Sequence, residues 1–250
     1  MPKYFADLSG ESPVLTGENA SHLISSLRAS PGDRIAVCDG NSMDYCCEIT
    51  EIHPRQKQVF VRILNVCPSP AEPHIKASLY QAIAKGDKFE YAVQKCVEMG
   101  IFEIIPITTE YTLAKDGLSE NKLKRLQAIS EAAAKQSMRG IIPRVLPATS
   151  LEQAIMDSKR HRLAFAPYEN ERRQGIKSFL SRKIINSNET AGIFIGPEGG
   201  FSPGEVTAFE KNGIERVSLG PRILRAETAG LVALSAMFYE FDELRASNDG

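Results

Sequence analysis

The chain has 250 residues, 42% of them hydrophobic and 24% charged, with a formal net charge of −1. That length can bury a sizeable core and is comfortable for two domains. The near-neutral balance excludes a chain that is basic all over, so any nucleic-acid contact requires Lys and Arg gathered on one face.

The opening residues, MPKYFADLSGESP, carry neither a basic lead nor an apolar run, so no secretory signal is expected. No apolar stretch approaches the ~20 residues that a bilayer crossing needs. Before the proline-rich stretch CPSPAEPH (67–74), short strand signals dominate. They are RIAVCD (34–39), DYCCEITEI (44–52) and QVFVRILNV (58–66), separated by the turn residues DGN (39–41) and HPRQ (53–56). One short helix around NASHLISSLR (19–28) interrupts them, and together they predict a small β-barrel or roll over residues 1–70. The five cysteines (Cys38, Cys46, Cys47, Cys67, Cys96) form no C-x-x-C pair, and neighbours such as Cys46 and Cys47 point to opposite faces of a strand. Neither a disulfide framework nor a zinc site is expected, and a reducing cytoplasm fits. The histidines (His22, His53, His74, His161) have no metal-ligand spacing either, so no metal is expected.

Beyond the prolines, strands alternate with helices over 74–246. ASLYQAIA (77–84), EIIPITT (103–109), RLAFAP (162–167), GIFIG (192–196) and RVSLG (216–220) are the strands. Helices are expected over 87–99, 120–138 and from Ala226 towards Leu244. This alternation predicts an α/β domain with a mostly parallel sheet covered by helices. Two helix starts are sharply marked. SPGE (202–205) places Ser202 at the N-cap, Pro203 in the first turn and Glu205 three residues on, with Gly213 at the far end; SLEQ (150–153) repeats the box with Ser150 and Gln153.

The corner G-P-E-G-G (196–200) therefore lies between a strand end and a defined helix, where open α/β sheets bind ligands. It is neither G-x-G-x-x-G nor a P-loop, and the helix begins after the glycines, so a phosphate cradle is disfavoured. A tight turn needing positive φ at Gly199 or Gly200 is one reading. SLGPRILRAETAGLVAL (218–234) repeats the theme of strand, Gly-Pro and helix. Two such corners at neighbouring strand ends would leave main-chain groups free to recognise a flat, uncharged heterocycle such as adenosine.

GPEGGF followed about twenty residues later by LGPRILRAETA closely resembles the SPOUT methyltransferases, and more narrowly the 16S rRNA (uracil-N3)-methyltransferase family. HLISSLRASPGD (22–33), KGDKFEYAVQKCVEMG (85–100) and EAAAKQSMRGIIP (131–143) extend the resemblance over nearly the whole chain; CDG (38–40) departs mildly, with Cys38 where an aromatic or apolar residue is expected. The resemblance implies a PUA-like RNA-binding barrel (1–70) and a domain binding S-adenosylmethionine (SAM) over 74–246. It also implies a C-terminal trefoil knot and a cytoplasmic homodimer acting on 16S rRNA, in the small ribosomal subunit. The cofactor would be held by Phe165, Ala166 and Pro167, by Ile195, Gly196, Pro197, Glu198, Gly199 and Gly200, and by Leu219, Gly220, Ile223, Leu224, Arg225 and Thr228.

Methylation at uracil N3 must displace a proton, and a cation near the ring oxygens stabilises the anion left behind. Arg225 is the candidate for that role, with an ion pair to Glu227 or Glu198 as its structural alternative, and Glu227 is a candidate proton acceptor. On the helix over 87–99, Phe89, Val93, Cys96 and Val97 share one face, and Lys88, Tyr91, Gln94, Lys95 and Glu98 the other. Lys85, Lys88 and Lys95, with Gln136, Arg139 and Arg28, are the candidate RNA contacts, although a plain solvated face is the commoner use of such residues. His22 beside leucines reads as structural, and Met237 and Phe238 as core or dimer contact. The competing readings are a related methyltransferase acting on tRNA or a ribose 2′-hydroxyl, and a non-catalytic RNA-binding module of ribosome assembly.

Overall fold

The computed structural model describes residues 3–8, 13–84, 86–112 and 117–244. The backbone divides into two compact units, Met1–Glu72 with Ala134–Ile142, and Pro73–Ala133 with Pro143–Gly250.

The first unit holds β1 (Lys3–Phe5), β2 (Val14–Thr16), α1 (Gly17–Ser21), a π-helical turn (His22–Ser26), β3 (Arg34–Cys38), β4 (Met43–His53) and β5 (Gln58–Pro68). They form one sheet in the order β1-β3-β4-β5-β2, with β1 parallel to β3 and the other pairs antiparallel. Register shifts at Cys46/Cys47 and Ile49/Glu51 bend the long β4–β5 ribbon around Leu15, Leu23, Val37, Cys47 and Val59, all fully buried. Among the described residues no pairing joins β1 to β2, so the sheet is a roll and not a closed barrel. Both end strands are three residues long, too short for the alternation that marked the others. His22 is structural: its Nδ1 lies 2.9 Å from the Tyr4 hydroxyl.

Residues 134–142 complete this unit. Glu72 accepts from Arg139 Nε and Nη2 (2.8 Å each) and from the Gly140 N–H (2.6 Å). Lys3 Nζ, almost wholly buried, donates to Asp44 (2.8 Å), Ser69 Oγ (3.0 Å) and the Met138 carbonyl (3.0 Å). The Cys38 thiol donates to the Gly140 carbonyl at 2.9 Å, and burial pushes its pKa up to about 11, which leaves it protonated and inert. A Cβ at Gly140 would stand 2.4 Å from Ser69 Cβ, so only glycine fits there.

The second unit contains β6 (Lys76–Ala82), α2 (Lys88–Met99), β7 (Glu103–Thr108), α3 (Glu120–Gln136, its last turn counted with the first unit), β8 (Arg144–Val145) and β9 (Thr149–Ser150). It continues with α4 (Leu151–Asp157), a 3₁₀ turn (Ser158–Arg160), β10 (Leu163–Pro167), α5 (Ile176–Leu180), β11 (Thr190–Ile195), α6 (Pro203–Lys211), β12 (Glu215–Val217) and α7 (Ala226–Glu240). The sheet order is β12-β10-β11-β6-β7-β8, with β9 also beside β7, and every pairing is parallel. Strands buried on both faces account for the continuous apolar runs. Tyr80 and Phe194 stack at 4.3 Å between ring centroids. On α2, Phe89, Val93, Cys96 and Val97 are buried as the helical spacing predicts, and both capping boxes are formed. Met237 and Phe238 are fully buried and belong to the core.

A part-buried polar cluster gathers around Tyr80 and His161 of this unit. Tyr80 donates to Asp157 at 2.6 Å, and its hydroxyl lies 2.9 Å from His161 Nε2. His161 must then be the donor to the phenol oxygen, which leaves Nδ1 unprotonated, and Nδ1 is indeed buried without a partner. Burial, reinforced by Arg160, lowers the His161 pKa to about 4.

Candidate active site

The order β12-β10-β11 sets three strands side by side whose C-terminal ends are Val217, Pro167 and Ile195. A cavity of about 320 Å³ opens over those ends, a size suited to a small molecule. Three loops wall it.

The first is the corner after β11. The Gly200 N–H bonds the Pro197 carbonyl at 2.9 Å and Gly200 has φ +70°, so the turn closes as a tight loop that needs glycine. Turn and pocket wall are thus one feature, and the two sequence readings merge. A Cβ on Gly196 would stand 3.2 Å from the Gly200 carbonyl carbon and 3.3 Å from the Phe201 ring. One on Gly199 would meet Tyr111 Cβ at 3.2 Å, and one on Gly200 would meet the Glu169 carboxylate at 2.5 Å. Phe201, buried edge-on against Phe209, pins the loop where α6 begins. Glu205 closes the capping box with one oxygen and accepts the Glu110 N–H with the other (2.7 Å).

The second wall runs from Ser218 to Arg225. Gly220, at φ +107°, donates to Ser218 Oγ at 3.2 Å, and the Ser218 main chain is held by the Gln174 carbonyl and the Ile176 N–H. The main chain of Leu219, Ile223 and Leu224 makes no hydrogen bond within the chain, among the described residues. These unspent groups, beside the apolar side chains of Ile195, Leu219 and Leu224, suit a flat heterocycle bearing ring nitrogens and an amino group.

Pro167, Tyr168, Glu169 and Arg172 make the third wall. The Glu171 carboxylate takes the N–H groups of Arg173 (2.6 Å) and Gln174 (3.1 Å), which shapes this turn; those backbone donors hold its pKa below the ordinary carboxylate range.

Most of the cofactor residues expected from the sequence line the cavity: Pro167, Ile195, Gly196, Pro197, Glu198, Gly199, Gly200, Leu219, Gly220, Ile223, Leu224 and Arg225. Three do not. Phe165 packs on Phe179 and Ala166 lies in the core with Phe194, because both faces of β10 are covered and only its last residue reaches the rim. Thr228 is in the first turn of α7 but does not face the cavity, where Ala226 and Ala229 stand instead.

Arg225 is exposed at the N-cap of α7 and forms no ion pair with Glu227 or Glu198. Glu198 is paired with Lys88 at 2.7 Å. Glu227 does not line the cavity, and its Oε2 is buried without a hydrogen-bond partner, which argues against a proton acceptor open to substrate.

Of the expected RNA contacts, Arg139 is corrected outright: it is 2% exposed, and its guanidinium is spent on Glu72. Lys88 and Lys95 are held by Glu198 and Glu98, so neither ammonium is unpaired. Arg28 and Gln136 are exposed, while Lys85 lies outside the described residues.

Besides Phe201, Ala226 and Ala229, the sequence reading missed Tyr168, Glu169, Arg172, Ser218, Pro221 and Arg222 as cavity residues. The strand-end logic that selected Pro167 extends to the YENER turn that follows it, and Arg222 stands inside the quoted GPRIL. Among the described residues no group of His, Cys, Asp or Glu could hold a metal ion, and no helix is long and apolar enough to cross a membrane.

A parallel sheet with two glycine corners walling one cavity, in a chain whose first strands form a separate small β-roll, defines an α/β ligand-binding domain preceded in sequence by a β-rich unit. Residues 71–238 match the family model of the RNA methyltransferase domain, and residues 15–62 that of the RNA methyltransferase PUA domain. The chain is 31% identical over 255 residues to the ribosomal RNA small subunit methyltransferase E of Bacillus subtilis, covering 98% of this chain and 99% of that one. It is 32% identical to its Synechocystis counterpart, over 89% of this chain and 71% of that one. It also superimposes with a TM-score of 0.80 at 28% identity on the Neisseria gonorrhoeae enzyme of that name bound to S-adenosyl methionine, over 96% and 97% of the two chains. The chain belongs to the ribosomal RNA small subunit methyltransferase E family.

Proposed function

We propose that this chain methylates N3 of a uridine in 16S rRNA, with SAM as methyl donor, on the small ribosomal subunit in the cytoplasm. The observation that carries the reading is the cavity of about 320 Å³ walled by two glycine corners, in a chain of this family. The residues fit the cofactor. Unspent main-chain groups at Leu219, Ile223 and Leu224 suit the adenine edge, and the apolar floor suits its ring.

SAM, when bound, supplies an electrophilic methyl group, so the protein's part is chiefly position and electrostatics. Arg225 lines the cavity with a guanidinium unpaired among the described residues, which suits it to stabilise the negative charge that grows on a uracil ring as N3 loses its proton. The ion pair between Lys88 and Glu198 ties α2 to the first corner and holds that wall in place. We also propose that two copies associate through α7 and that the C-terminal segment forms a trefoil knot. The helix is apolar all round, with Leu231, Val232 and Ala236 half-buried and Tyr239 77% exposed in the single chain, as a helix covered by a partner should be.

The test is incubation with methyl-labelled SAM and unmodified small subunits, followed by mass spectrometry of the nucleosides. Label in 3-methyluridine is expected. Label in another nucleoside overturns the substrate, and absence of SAM binding overturns the enzyme.

A further inference from the structure

The cavity carries more positive charge than its cofactor can use. Arg172, Arg222 and Arg225 line it, together with the carboxylates Glu169 and Glu198. Lys88 neutralises Glu198. Among the described residues, none of the three arginines nor Glu169 forms an ion pair or a side-chain hydrogen bond. That leaves three guanidiniums facing one carboxylate.

Three other cations on the surrounding loops and strands are spent. Arg216 is held by Glu171 (3.8 Å) and Glu210 (2.7 Å), Arg182 donates to Gln174 Oε1 (2.6 Å), and Lys183 pairs with Glu215.

SAM is itself a cation, with a sulfonium and an ammonium against one carboxylate. Glu169, lying over Gly200, can balance the ammonium, and one guanidinium can meet the carboxylate or, as proposed for Arg225, the reacting ring. At least one guanidinium, and two if Arg225 serves the ring alone, still lacks an anion. A cavity built only for a cationic cofactor would not hold them, because like charges repel and an unmatched guanidinium gains nothing there.

We propose that Arg172 and Arg222 form a phosphate clamp for the RNA strand, gripping backbone phosphates on either side of the target nucleotide. The inference rests on the RNA methyltransferase reading above. Both residues are exposed at the cavity, on two separate chain segments: Arg172 follows β10, and Arg222 belongs to the second corner, its Nη2 3.9 Å from where a Cβ of Gly220 would stand. Guanidinium groups carried by two separate loops at the rim of one cavity suit phosphates of a strand whose base enters it, and each can bind bidentately. Such contacts carry affinity and register, not sequence choice.

The test compares the full-length wild type with Arg172→Gln, Arg222→Gln, Arg172→Lys and Arg222→Lys. Binding to unmodified small ribosomal subunits is measured by filter retention between 50 and 300 mM KCl, and binding to SAM by calorimetry. The proposal expects each Gln variant to bind subunits about three- to tenfold more weakly at 100 mM salt, with the slope of log K against log salt reduced by about one. It expects the Lys variants to keep most of that slope, and SAM affinity to stay within about twofold throughout. Unchanged subunit affinity and slope in both Gln variants overturn the clamp. Loss of SAM affinity with unchanged subunit binding overturns it too, by placing these arginines on the cofactor carboxylate. Wild-type label in 3-methyluridine judges the enzyme reading separately, since the clamp is read from binding differences alone.

Discussion

Replacing Gly200 with Ala perturbs the first corner at one atom. The residue sits at φ +70°, where an L-residue costs about 1–2 kcal/mol, and the lower backbone entropy of the unfolded Ala chain adds about 0.4–1 kcal/mol to the folded state's favour. The net is a loss of about 1 kcal/mol, which for a chain of this length lowers Tm by ~2–4 °C. The new methyl would also stand 2.5 Å from Glu169 Oε1. The carboxylate is the far end of a flexible side chain, so it moves at little cost to folding, but it moves out of the cavity wall. SAM affinity should fall at least about tenfold, or ~1.4 kcal/mol. Gly204→Ala provides the opposite sign. Gly204 lies in α6 with no positive φ, its Cβ would meet nothing nearer than Ser202 Oγ at 3.8 Å, and Ala there should stabilise by up to about 1 kcal/mol without touching the cofactor. Thermal melts without ligand, since bound ligand shifts Tm, and calorimetric titration with SAM read both variants. If Gly200→Ala melts with the wild type and binds SAM as tightly, the corner's placement against the cofactor is wrong.

Glu72→Ala should cost about 3–5 kcal/mol in chemical denaturation, because it strands the buried Arg139 guanidinium and the Gly140 N–H together; Glu72→Gln should cost less. His161 is neutral when folded, with a pKa near 4 against 6.5 for the free side chain. Its folded pKa is depressed, so the unfolded chain binds more protons between these values, and stability present above pH 6.5 should drain away as pH falls towards 4. The loss is about 3 kcal/mol at most, and it should vanish in the pH dependence of His161→Asn. Arg225→Ala should lower kcat by about a hundredfold while leaving the unfolding midpoint within about 0.5 kcal/mol of wild type, because the side chain is exposed and unpaired.

The strands with clear alternation, the α2 face and both capping boxes could be read from the sequence because each is decided within about ten residues. Pro203 and Ser202 mark α6 whatever surrounds them. The two corners could be located for the same reason, although a single Gly-Pro corner reads equally as a tight turn and only the repeat of the theme at 218–225 pointed to a shared pocket. What escaped was set by partners distant in the chain. Arg139 looks like an RNA contact until Glu72, 67 residues earlier, is seen to hold it. Lys88 looks free until Glu198, 110 residues later, occupies it. Phe165 and Ala166 looked like cavity wall because a strand end was identified without knowing that both its faces are covered.

The clasp at 134–142 has a consequence for how this protein can be taken apart and how such proteins arise. The family models suggest two cassettes meeting near residue 71, yet the front cassette is discontinuous. A gene fragment ending at Glu72 would leave Lys3, Cys38 and Glu72 without the main-chain and guanidinium groups that satisfy them. The complementary fragment would present Arg139 bare. A single recombination at the linker therefore cannot exchange one front for another; a working graft has to carry both pieces, with Gly140 and the Ser69 it packs against chosen as a matched pair.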